Sequence, residues 1–68
     1  KQLSDREFEV FSSLVSGKSI TEIANTLHLS VKTVSTHKTR IMQKMGMTSL
    51  SEMVQYAVAH RLLSPFES

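Results

Sequence analysis

The chain has 68 residues, eight Lys or Arg against six Asp or Glu, and a formal charge of +2. A domain of that size buries only about 60% of its extended-chain surface, which leaves no interior large enough for a substrate pocket, and the lack of cysteine excludes a disulfide framework or a thiolate metal site. No apolar run approaches the roughly 20 residues that span a bilayer, and the N-terminus lacks the apolar stretch of a secretion signal, so a cytoplasmic protein is expected.

The first helix is predicted over about residues 5–16. Ser4 can cap it while Glu7 reaches back to complete a capping box, with Leu3 standing before it as a staple. Val10, Phe11, Leu14 and Val15 recur at helical spacing, and Gly17 supplies a left-handed stop. A shorter second helix follows Ser19, with Ile20, Ile23, Ala24 and Leu27 on one face. Ser30 caps a third, which runs to about Met45 because Val34, Ile41 and Met45 share a narrow arc, and Gly46 closes it. Thr48 or Ser49 caps a fourth, whose core face is read as Leu50, Val54, Ala57 and Val58, and Pro65 prevents its continuation. The four methionines serve as core fillers. The expected fold is all-α: one four-helix domain over residues 1–63 containing a helix-turn-helix, with residues 64–68 as a C-terminal tail.

Charge is unevenly distributed along this plan. Residues 30–47 hold Lys32, Lys38, Arg40 and Lys44 and no acid, which places a charge of +4 on the third helix and its flanks. Such a local basic field selects polyanions. With Val34 pointing inward, the residues furthest from the core are Lys32, Thr36, Thr39 and Gln43, with Ser35 beside them. These hydroxyls, amide and ammonium are groups able to bond base edges. Thr33, His37, Arg40 and Lys44 line one flank, as a helix straddling a phosphate backbone requires. The second and third helices are joined by only about three residues, with Ala24 as the small residue at their crossing and Ile23, Leu27, Leu29 and Val34 to lock the angle. His28 occupies the turn position that often holds glycine.

These residues resemble the LuxR-type, or FixJ/NarL-type, DNA-binding domain found at the C-terminus of many bacterial regulators. The resemblance covers Leu3 to Leu63 and rests on Leu3-Ser4, Arg6-Glu7, Gly17, Glu22-Ile23-Ala24, Leu27, Ser30, Thr33-Val34, His37, Ile41, Lys44-Met45 and Ala57. It implies sequence-specific binding of double-stranded DNA by the output domain of a transcription regulator in a two-component response-regulator chain. Base contacts are then expected from Ser35, Thr36 and Thr39, with Lys32 or Lys38 compensating for the serine at position 35, where the family commonly has lysine. Phosphate contacts are expected from Thr33, His37 and Lys44, with Arg40 and Lys38 on the same helix and Ser19 at the start of the second. Ile20, Leu50 and Arg61 also depart from the family, which often has asparagine, arginine and glycine there.

The resemblance further implies a homodimer through the fourth helix, where Met53, Tyr56 and His60 form a second stripe outside the expected core face. It implies as well a receiver or sensor module ahead of Lys1. Two other readings compete: the promoter-recognition domain of a sigma factor, also a four-helix unit, and a helical protein-interaction module without DNA affinity. The acid-free segment argues against the second. His28, His37 and His60 lack the spacing of a metal site, no Ser-His-acid arrangement or glycine-rich phosphate loop is present, and neither enzyme activity nor a cofactor is expected.

Overall fold

All four helices of the computed structural model, which describes residues 3–60 and 62, start on a serine. They are α1 (Asp5–Val15), α2 (Ile20–Leu27), α3 (Val31–Met45) and α4 (Leu50–Ala59). Ser4, Ser19, Ser30 and Ser49 each hold an extended backbone, and each hydroxyl accepts from the N–H three residues on. A free N–H at the helix start is thereby satisfied without help from the rest of the protein. In α1 and α2 the carboxylates of Glu7 and Glu22 accept in return from the serine N–H, at 3.0 and 2.8 Å. In α4 the return bond shifts by one residue, with Thr48 N–H donating to Glu52 at 2.6 Å, so Ser49 is the cap and Thr48 its support.

The ends of α1, α2 and α3 follow one pattern. The N–H groups of Lys18, Leu29 and Met47 each donate to a carbonyl five residues back, at 2.9–3.1 Å, across a residue of positive φ. That residue is Gly17 (95°) after α1, His28 (58°) after α2 and Gly46 (65°) after α3. The left-handed backbone lets the chain turn away while the last carbonyls stay paired. Glycine reaches it without steric cost, whereas His28 holds it against its own Cβ.

α1 packs against each of the other three helices, and α2 also packs on α3. Phe11, Ile23, Ile41, Met53, Val10 and Val34 are the largest fully buried side chains, drawn from all four helices. Met42, Met45 and Met47 pack half-buried around them, as expected of adaptable fillers. The boundaries expected for α1, α2 and α3 agree with the observed ones to within a residue, whereas α4 ends at Ala59, well before the stop expected at Pro65.

The face assigned to α4 needs correction. Met53, expected on an outer stripe with Tyr56 and His60, is fully buried, while Leu50, expected inside, is 43% exposed. Met53 and Ala57 form the inward line, and Val54 and Val58 are half-buried beside it. The physical reason is that apolar residues cover a broad arc of α4, and docking on α1 selects which part of that arc turns inward. Pro65 and the expected tail, residues 64–68, lie outside the described residues.

Candidate nucleic-acid interface

α2 and α3 are joined by three residues, His28 to Ser30. Ile23 and Ala24 on α2 and Val34 on α3 are buried at 0–4% exposure, with Leu27 and Leu29 packed beside them. The small Ala24 lets the two helices approach, and the left-handed His28 turns the chain from one axis to the next. α3 is thereby carried on its Val34–Ile41 line, and the opposite face is left to solvent.

On that outward face Lys32, Ser35, Thr36, Thr39, Arg40 and Gln43 line one shallow depression. Lys32, Thr36, Thr39, Arg40 and Gln43 are exposed and Ser35 is half-buried. The Thr36 hydroxyl donates to the Lys32 carbonyl at 3.0 Å and that of Thr39 to the Ser35 carbonyl at 3.1 Å. Each threonine therefore spends its proton on the helix and offers outward a methyl group and oxygen lone pairs. Those suit thymine methyls and base amino groups.

The candidate phosphate contacts are more scattered. Ser19 is exposed at the start of α2, its hydroxyl accepting from Glu22. Thr33 is half-buried, its N–H and hydroxyl both engaged with Ser30. Lys38 is half-buried, and so is His37, whose Nδ1 is enclosed with no hydrogen-bond partner among the described residues. Lys44, read from sequence as a free flank cation, instead sits 2.7 Å from Glu7. Of the candidate dimer residues, Tyr56 and His60 stack at 4.0 Å between ring centroids, while Met53 lies in the core.

Glu7 is the residue whose role was not anticipated beyond its cap. It is 4% exposed and accepts from both Ser4 and Lys44, tying the first turn of α1 to the last turn of α3. The Lys44 ammonium, followed by the Ser4 N–H, holds its carboxyl below the usual carboxylate range, against the opposing effect of burial. The sequence carried a faint sign of this: position 7 precedes Val10, Phe11 and Leu14 at helical spacing and so falls on the inward face.

The three helices that carry an acidic first turn are α1, α2 and α4. Glu22 and Glu52 are likewise lowered, chiefly by the backbone N–H groups of Ser19 and Thr48. α3 has Thr33 at the equivalent position and no acid along its length. Its positive N-terminal dipole end is uncompensated, and Lys32 and Arg40 extend the same sign along the exposed face. The arrangement presents a polar, cationic helix surface, suited to a polyanion. Among the described residues, no group of His, Asp or Glu side chains could hold a metal ion, and no helix is long and apolar enough to cross a membrane.

A short second helix, a tight turn and an outward-facing third helix define a helix-turn-helix DNA-binding domain of the transcription-regulator class. The chain belongs to the family of bacterial regulatory proteins described as the luxR family, whose model matches residues 1–57. That membership favours the regulator over the sigma-factor and interaction-module readings. The chain is also similar to the oxygen regulatory protein NreC of Staphylococcus aureus, with 48% identity over 63 residues in strains JH9, Mu3 and bovine RF122. Those 63 residues are 93% of this chain and 29% of NreC, so the chain spans less than a third of the relatives it matches.

Proposed function

We propose that α3 enters the major groove and reads sequence with Lys32, Ser35, Thr36 and Thr39, while Arg40, Lys38, Thr33, His37 and Ser19 hold the flanking phosphates. The observation that carries this reading is the acid-free α3, whose exposed side gathers Lys32, Thr36, Thr39, Arg40 and Gln43 into one surface. Lys44 is placed in a secondary role, since reaching a phosphate would cost it the bond to Glu7.

The domain, taken as residues 1–63, acts as the output part of a longer cytoplasmic response regulator, with a receiver or sensor module in the remaining chain. The short span of the relatives that the chain covers, and the similarity to NreC, an oxygen regulatory protein, support this. Two copies pair through the outer side of α4 around Tyr56 and His60, so that two α3 helices meet half-sites about 10 base pairs apart.

The test is a salt titration of binding to a mixed-sequence duplex, followed by fluorescence anisotropy. With about three to five phosphates held per copy, log affinity should fall against log salt with a slope of about −3 to −5 per copy. Arg40→Ala should reduce that slope by about 1. A slope near zero would remove the reading.

A further inference from the structure

We infer that Val31 is a specificity-determining residue of the α3 surface, set against the 5-methyl group of a thymine. The inference rests on α3 lying in the major groove, as proposed above, and adds to that reading a residue and the base it selects. Val31 opens α3 as its first helical residue. At 48% it is the most exposed large apolar side chain among the described residues, and so it stands outside the core that holds Val34 and Ile41.

Its neighbours continue the same chemistry. Residues four apart are adjacent on a helix surface, so Val31, Ser35 and Thr39 form one ridge that runs from the leading end of α3 into its outward face. The Thr39 hydroxyl is turned back to the Ser35 carbonyl at 3.1 Å, which leaves its methyl group outward. Ser35, small and half-buried between them, keeps the ridge low. The opposite flank, formed by Thr33, His37, Arg40 and Lys44, is polar. Helical side chains lean toward the N-terminus, and a recognition helix leads with its N-terminal residues, so Val31 reaches the groove floor at the front of this surface. Valine then narrows the choice of base. It has no donor or acceptor and gains nothing from a phosphate, whereas the thymine methyl is the one apolar group that the major-groove edges of the four bases present.

The test uses the 68-residue chain and a duplex obtained by selection from a random library, in which each thymine in turn is replaced by deoxyuridine. That exchange removes the methyl group and leaves the pairing and the O4 acceptor in place. At one thymine per bound copy, deoxyuridine should weaken binding of the parent about fourfold, the worth of one buried methyl group. Val31→Ala should bind the thymine duplex about fourfold more weakly, and at that same position it should no longer distinguish thymine from deoxyuridine, with circular dichroism and Tm kept. Three outcomes would overturn the inference: no thymine whose methyl group matters, a methyl effect as large in Val31→Ala as in the parent, which would assign it to Thr36 or Thr39, or a loss in Val31→Ala that is equal on both duplexes. Each leaves α3 in the groove so long as the salt dependence stays steep, whereas a slope near zero removes both readings.

Discussion

The Lys44 ammonium lies 2.7 Å from the Glu7 carboxylate and joins the end of the third helix to the start of the first. Through Ser4, which donates its N–H to the same carboxylate oxygen, the contact reaches the chain's entry into the domain. Lys44→Ala should therefore lower stability as well as DNA affinity. Because the folded-state pKa of Glu7 lies below its ordinary 4.5, the stabilisation is present above that value and is lost as pH falls through the lower folded value. The gap in urea midpoint between parent and Lys44→Ala should be wide at pH 7 and close at lower pH, once Glu7 is protonated. A gap that stays constant with pH would mean that Lys44 contributes only through its aliphatic stem.

His28 holds a φ of 58° in the turn between α2 and α3. Substituting glycine removes the Cβ clash of that conformation, so His28→Gly should stabilise the domain by about 0.5–1 kcal/mol. His28→Val should do the reverse, since a branched Cβ fits this backbone poorly. Thermal melts of the two variants check the sign. DNA affinity should hold in His28→Gly because the angle between the helices is unchanged.

Thr36→Ala and Thr39→Ala remove one methyl group and one outward oxygen each from the exposed face of α3. Neither side chain is part of the core, so Tm should move little, while the preferred base at one or two positions of the binding site changes. A lost base contact is worth about 1–3 kcal/mol of discrimination. Selection of bound sequences from a random duplex library measures it. Unaltered preferences in both variants would show that another face reads the bases.

Tyr56 stacks on His60 at the outer edge of α4 and meets Phe11 edge-on below. If α4 carries the contact between two copies, Tyr56→Asp should abolish cooperative occupancy of a palindrome while leaving half-site affinity nearly unchanged. Equal losses on both DNAs would instead assign the ring to the fold through Phe11. Titrations of the two duplexes under identical salt separate these outcomes.

Local chemistry was the readable part of this sequence. Ser4 with Glu7, Ser30, and the stop at Gly46 mark helix limits through groups three or four residues apart, and these appear in the structure as expected. The outward set on α3 was readable for a similar reason, since Val34 and Ile41 define one inward line and little else on that helix competes with it. α4 lacked that clarity. Leu50, Met53, Val54, Ala57 and Val58 are all apolar, and only the position of α1 decides that Met53 goes in and Leu50 stays out. The Glu7–Lys44 bond spans 37 residues, beyond any pattern of spacing, so Lys44 looked like a free flank cation.

The four serine caps bear on how the molecule assembles. Each helix carries its own start signal, and the first three carry their stops within two residues of their ends, so little of the secondary structure waits on distant partners. What remains is the docking of preformed segments onto α1, a search over few arrangements. Helical domains built from such near-neighbour contacts fold on the order of microseconds to milliseconds. After thermal or chemical insult the DNA-facing surface should then be restored faster than exposed core residues such as Phe11 and Ile41 can find another chain.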